Sequence, residues 1–522
     1  MTAVVARDAR PGWRRPSPLL ARIVRMEIRH SAFVWAVPLL ALLFIYDPFR
    51  TAAGYPGLWT VRASVILNKF WPDCVPFAAG LSAWAGSREG RRHVGDLLGT
   101  TARPAWTRQL CSLAGTLAWV LAAYLAGAVA LYIRTAMVAS WGGPPVWPVV
   151  VGVVALIAVC ALSFTLGALF PGRFIAPIVA VGLTVVTLVT FRQAVSESGG
   201  PVGILSPDGA VPPNDAGLFY PVAPDVSIVQ VMFFAGAALG AIGLLGLSPR
   251  TGGVGWRGAL DAASGGGARL RTLATAVFAV GVALAVAGFT LAGTATGSTF
   301  AGMKIPLLHD SASDQPLPYT PVCGGSASFP VCLHPAYQSY LSQAVTSFDR
   351  VMSEVAGLPG APVRAAEVSD QKLPAIVVAG TGDGVVTGTP PVYEFTMDNA
   401  VGLEPDATQF QDGFEQDIAH AVIVGPIGTT VPMQGGGDAF QPDTGTPAQQ
   451  AVANGLLKAI GSQPYPAGGP DDNLDAQQLK QQARIAAAAA RFAALPAGTR
   501  HAWLVANLAA LKAGHLTLAQ IP

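Results

Sequence analysis

Apolar and polar positions divide the chain into two regimes. Up to about residue 296 the apolar residues run continuously, in windows near 31–46, 70–86, 110–133, 147–170, 174–191, 226–247 and 273–294. Short, arginine-bearing connections separate them. A bilayer core takes about 20 consecutive apolar residues per helix, so the pattern predicts seven transmembrane helices in series. The first window is short and contains Pro38, and the second carries Pro72, Asp73 and Pro76. From residue 297 the apolar positions become periodic instead. The stretch 334–360 reads as an amphipathic helix stopped by Gly357 and Pro359. VRAAEVSD, PAIVVAG and VYEFTMD (392–398) read as short strands, and helices resume near 406–422, 446–461, 473–495 and 498–513. The predicted fold class is therefore a polytopic α-helical membrane protein, with about seven transmembrane helices, followed by a C-terminal α+β soluble domain.

Composition supports this division. Of 522 residues, 52% are hydrophobic and only 12% charged, with a mean hydropathy of +0.46. Soluble proteins carry about a quarter charged residues. The net charge of +2 gives no overall basis for a nucleic-acid partner. Its distribution says more, because residues 297–522 hold 10 basic and 19 acidic side chains, while the rest of the chain is net basic. Lys and Arg favour the cytoplasmic side of membrane helices. With the N-terminus inside, 17 of the basic residues before 297 fall on inner segments and 5 on outer ones. An odd number of spans then places the C-terminal domain outside the cell membrane. The region 1–31 has no h-region or small-residue cleavage site, so the first apolar segment is expected to stay uncleaved. Cys323 and Cys332 flank a turn-rich GGSASFPV, and an oxidising exterior would join them. Cys74, Cys111 and Cys160 sit in or beside apolar windows and read as small hydrophobes.

Two inner segments carry chemistry. LLARIVRMEIRHS (19–31) gathers Leu19, Leu20, Ile23, Val24 and Ile28 on one helical face and Arg22, Arg25 and Arg29 on the other. That is the pattern of a helix lying at the membrane interface, its arginines reaching headgroup phosphates. The loop 86–110, GSREGRRHVGDLLGTTARPAWTRQL, predicts a short amphipathic helix from Glu89 to Leu98. It would bury Val94, Leu97 and Leu98, point Arg92 and Asp96 away, and keep Arg91 at its rim. Within the spans Asp73 is the notable polar residue, either inside the membrane or at its outer interface. The run Gly236–Gly243 in the sixth window permits close helix approach.

The order of interfacial helix, first span, second span ending in small residues and then R-E-x-R-R-x-x-x-x-L-L-x-T-T resembles the ABC-2 type of ABC-transporter permease. The tight turn LFPGRFIAP (169–177) and the outer segment 192–225 are similar to that family too. The resemblance implies four parts. Residues 1–30 would be a cytoplasmic N-terminus with its interfacial helix, 31–250 a six-helix permease core, 251–296 a cytoplasmic linker and seventh helix, and 297–522 an extracellular domain. The seventh helix and this domain depart from the six-span pattern and resemble a group of actinobacterial permeases without an assigned substrate. Arg88, Glu89, Arg91, Arg92, Asp96, Leu97, Leu98 and Arg103 would form the coupling loop that meets an ATP-binding cassette ATPase subunit. No G-x-x-x-x-G-K-[ST] phosphate cradle occurs in the chain, so ATP-Mg would bind that separate subunit. A homodimer, or a heterodimer with a second permease, is implied as well.

The exterior domain offers His309, His334, His420, His501 and His515, without the H-E-x-x-H of a zinc peptidase or a G-x-S-x-G elbow. Asp417-Ile-Ala-His420 comes nearest, and the order of a mixed part followed by helices resembles a metallopeptidase domain that has lost its motif. No catalytic residue is expected in this chain. The alternatives to a permease are a membrane-anchored extracellular sensor or binding protein, and a tethered surface peptidase.

Overall fold

The computed structural model describes residues 18–30, 46, 50, 56–92, 104–195, 200–207, 217–248, 266–299, 302–369, 372, 384–397, 407–425, 429–432, 438–441, 445–464 and 476–522. Helix α1 (Pro18–His30) precedes a bundle. Its first described rod is built from α2 (Trp59–Val65), a π-helical segment (Ile66–Phe70) and α3 (Trp71–Gly86), of 7, 5 and 16 residues in turn. Pro72 has no N–H to offer the Asn68 carbonyl, and its ring crowds that oxygen. The widened turn before it accommodates both effects. After the single turn α4 (Arg88–Arg91) come α5 (Ala105–Ala136), α6 (Trp147–Leu169), α7 (Ile175–Val195), the short α8 (Pro201–Leu205), α9 (Asp225–Leu247) and α10 (Gly266–Ala292).

Four helices among the described residues are long and apolar enough to cross a membrane, within α5, α6, α9 and α10. This corrects the predicted count of seven. The window 31–46 lies outside the described residues. The second window ends a rod whose regular α-helical part is 16 residues long, interrupted by the proline-driven π turn. The apolar part of α7, Ile175–Thr190, is also shorter than the four. The chain is thus a helical membrane protein with a separate mixed domain.

Small residues set the helix crossings. A Cβ on Gly86 of α3 would lie 2.1 Å from the Phe164 carbonyl oxygen of α6, and one on Gly167 of α6 would lie 2.1 Å from the Ala83 oxygen of α3. Backbone contact of this kind gives the dispersion and packing gain that replaces the hydrophobic effect in lipid. Along α9 and α10 the same holds at Gly236, Gly243, Gly281 and Gly288. Hydrophobic side chains on α7, including Ile178, Val181, Val185 and Leu188, face outward, as do Val280, Val286 and Phe289 of α10.

The C-terminal domain begins with the hairpin β1 (Thr296–Thr299) and β2 (Gly302–Lys304). Its sheet contains β3 (Val322–Ser326), β4 (Phe329–Leu333), β5 (Arg364–Glu367), β6 (Gly384–Thr387) and β7 (Val392–Phe395), in the order β3-β4-β5-β7-β6. β4, β5 and β7 run parallel, while β3 and β6 are antiparallel to their neighbours. Cys323 and Cys332 are directly opposed in the β3–β4 register and joined by a disulfide. Helix α11 (Leu341–Val355) buries Phe348, Val351, Met352 and Val355. α12 (Ala407–Ile423) sends Phe414 onto the ring of Phe395, centroids 4.9 Å apart. A second hairpin, β8 (Thr429–Pro432) with β9 (Asp438–Gln441), precedes α13 (Pro447–Ala459), α14 (Ala476–Ala494) and α15 (Ala497–Lys512). The predicted helices after 334 recur within a few residues, as do two of the three strands. PAIVVAG lies outside the described residues.

Candidate functional site

The arginine-rich end of the bundle gathers segments far apart in sequence. Ser87 follows α3, and α4 turns the chain back across the end of the bundle. Arg88 donates from both terminal nitrogens to the two carboxylate oxygens of Glu27 on α1, at 3.1 to 3.2 Å. Arg91 folds back on α3. Its Nε donates to Ser87 Oγ at 3.0 Å, its Nη2 donates to the Trp84 carbonyl at 3.0 Å, and its guanidinium carbon stands 3.4 Å from the Trp84 ring centroid. Stacking of this type adds about 0.5–1 kcal/mol at an exposed site. Glu89 lies 3.7 Å from Arg108 of α5. Arg92 ends the turn with its side chain exposed.

These contacts change the reading of the loop. Of the predicted Glu89–Leu98 helix the described residues show its start, the turn Arg88–Arg91 with Arg92 at its C-cap, and 93–98 lie outside them. Asp96, Leu97, Leu98 and Arg103 lie outside the described residues. Arg88 and Arg91 are engaged within the protein, so Arg92 is the arginine of the turn most open to a partner. Gly90 explains how the loop meets its neighbour, because a Cβ there would sit 2.4 Å from the Pro171 side chain. The turn between α6 and α7 therefore presses directly on the loop after α3.

Helix α1 completes this end. Ile23, Val24, Glu27 and Ile28 are half-buried, while Arg22, Arg25, Met26 and Arg29 are exposed. The inward face rests on α5, where Trp119 Nε1 donates to the Ile28 carbonyl at 2.7 Å and Gly115 leaves room for Glu27. The amphipathic helix expected at a lipid interface thus lays part of its apolar face on protein. Glu27 is the one carboxylate among the arginines of 22–29. That isolation was the available signal for an ion pair. Asp73 lies in the first turn of α3 with an exposed side chain, well away from this cluster in sequence and by helix geometry.

The opposite end of the bundle holds the C-terminal domain. Trp141, from the α5–α6 connection, and Phe219, from the α8–α9 connection, pack edge-on against His334 with centroids at 4.9 and 5.1 Å. Tyr319 covers the same imidazole at 4.5 Å. Ser140 Oγ donates to the Pro335 carbonyl at 2.8 Å, and the Leu317 amide donates to the Phe219 carbonyl at 2.7 Å. The His334 amide donates to Glu367 at 2.6 Å, and its Nδ1 accepts from the Ala336 amide at 3.1 Å. Nδ1 therefore carries a lone pair, and the neutral ring bears its proton on Nε2. Burial pushes this imidazole down from its ordinary 6.5 to about 4. A dismantled joint would take up a proton that the intact joint refuses, so stability falls as pH drops from 6.5 toward 4. The maximum loss is about 3 kcal/mol. Melting curves of the full chain should show a larger acid loss in wild type than in His334→Asn, which keeps a capping acceptor and does not titrate.

In the C-terminal domain, Asp417 and His420 of α12 are both buried. Among the described residues no group of three His, Cys, Asp or Glu is placed to hold a metal ion. Comparison of the chain with family models, curated proteins and solved structures finds no match in any of the three.

Proposed function

We propose that this chain is the membrane-spanning subunit of an ABC-2-like permease, moving a substrate with ATP hydrolysed by a separate cassette subunit. One juxtaposition carries the reading: α1, the α3–α4 turn, the start of α5 and the α6–α7 turn converge on a single arginine-rich end. A single-span anchor has no need of such a junction. A partner that pushes on Arg92 and the residues after it moves Gly90 against Pro171, and so reaches α3, α6 and α7 together.

In this reading the arginine-rich end is cytoplasmic, and the disulfide-bearing domain at the other end is extracellular. α5, α6, α9 and α10 are the helices that cross the membrane in this reading. The outward apolar faces of α7 and α10 meet lipid or the second membrane half, supplied by another copy or a related permease.

Co-purification tests the proposal. The chain solubilised from its native membrane should bring an ATPase subunit with it, at a stoichiometry near one to one. Arg91→Glu with Arg92→Glu should reduce that recovery at least tenfold while membrane insertion stays intact. Undiminished recovery from the double variant removes the loop from the interface, and no ATPase in the wild-type preparation removes the permease reading.

A further inference from the structure

A second polar cluster fastens the exterior domain to the bundle, on the segment that follows the last helix. Asp225 opens α9 and is completely buried. Its Oδ2 accepts from the Ile305 amide at 3.0 Å and lies 3.0 Å from His309 Nδ1. The other ring nitrogen, Nε2, lies 3.2 Å from Asp314 Oδ2. Lys304 Nζ donates to that same oxygen at 2.6 Å.

This geometry sets a carboxylate oxygen against each ring nitrogen. A neutral imidazole has one N–H and one lone pair, whereas a carboxylate oxygen can only accept. With a carboxylate at each nitrogen, a neutral ring would set a lone pair against a lone pair. The imidazolium satisfies both contacts. Charge balance agrees, since Asp225 and Asp314 are then matched by Lys304 and His309. The other elements packed here contribute apolar groups: Ile204 and Leu205 of α8, Val226 and Val229 of α9, and Ala292 of α10. The remaining nearby carboxylate, Asp310, turns to the Ala312 amide. Removing the proton would leave Asp225 buried beside an uncharged ring, a costly arrangement for a carboxylate.

We propose that His309 is a protonation-gated staple, which as the imidazolium ties the segment 302–314 to the N-terminus of α9 and on deprotonation releases it. The staple closes on the acid side and opens as the pH rises. It makes the seating of the exterior domain responsive to the pH of the medium that bathes it, whatever the bundle transports.

A nitroxide at Leu307→Cys reads the segment directly. Leu307 is 79% exposed, and the thiols of Cys74, Cys111 and Cys160 are buried, so labelling is confined to the new position. In the full chain in detergent, the spectrum should pass from a mainly immobilised to a mainly mobile line shape as the pH is raised. In the His309→Arg background, which keeps a cation and its donors throughout, it should stay immobilised at every pH. In His309→Asn it should be mobile at every pH. A wild-type line shape that does not change with pH overturns the proposal, as does a His309→Arg protein that titrates like wild type. The arginine comparison retains its force even if the asparagine variant fails to fold.

Discussion

Gly281→Ala is expected to force α10 away from α9 and to cut the recovery of folded, monodisperse protein several-fold, while Gly240→Ala at the same crossing leaves it unchanged. The two glycines face each other, yet their surroundings differ. A Cβ on Gly281 would come 2.2 Å from the Gly240 backbone nitrogen and 2.8 Å from the Gly236 carbonyl oxygen. Neither can yield without moving the helix. A Cβ on Gly240 meets nothing within 4 Å. Overpacking of a well-fitted interface costs about 1–3 kcal/mol, and the upper end applies where the obstacle is backbone. Alanine also favours helix over glycine by about 0.8–1 kcal/mol in water, which makes the tolerance of Gly240→Ala the sharper half of the comparison. Size-exclusion profiles of the detergent-solubilised variants before and after heating supply the measurement. Equal behaviour of the two variants would contradict this packing.

Arg500→Met is expected to destabilise the C-terminal domain by about 3–5 kcal/mol, the cost of stranding a buried charge. Arg500 of α15 donates to both oxygens of Glu354 at the end of α11, at 2.9 and 2.6 Å, and the two side chains are 8% and 9% exposed. The same guanidinium donates to the carbonyls of Ala493 and Leu495, at the end of α14. One side chain thus joins three helices, and its removal leaves a carboxylate and two carbonyls without their donor. For a domain of this size the loss corresponds to a fall of about 10 °C in Tm. Glu354→Met combined with Arg500→Met should recover much of the deficit, because a buried pair replaced by apolar groups is often neutral. Thermal unfolding of the full chain, followed by near-ultraviolet circular dichroism, checks both variants. A single variant as stable as wild type would show that the pair carries no weight.

The parts of the fold readable from sequence were those written in contiguous residues. The apolar runs that became α5, α6, α9 and α10 were visible because lipid-exposed helices need unbroken hydrophobicity. Their observed ends differ from the windows by only a few residues, α10 starting earliest. β3 and β4 were missed because GGSASFPV has the composition of a turn, and the disulfide constrains a pairing that local propensity does not announce. α8 escaped notice for a similar reason. It is five residues long, and its end is satisfied by Gln230, whose Nε2 donates to the Ile204 and Ser206 carbonyls at 2.8 and 2.6 Å. Of the candidate site, the arginines were legible as a pattern but their engagements were not. The Glu27–Arg88 bridge spans 61 positions, and the contact of Gly90 with Pro171 depends on how two helices cross. His334 and His309 were read only as isolated histidines, because each acquires its meaning from residues on other elements.

The aromatic joint around His334 constrains how the bundle can move. Trp141 belongs to the hairpin of α5 and α6, and Phe219 to the connection that enters α9, yet both rings lie against one imidazole. Prising those two hairpins apart on that side must therefore either break the ring contacts or carry the whole domain along with one of them. The domain is a crossbar between two connections of the bundle, and separating them at that end costs aromatic contacts.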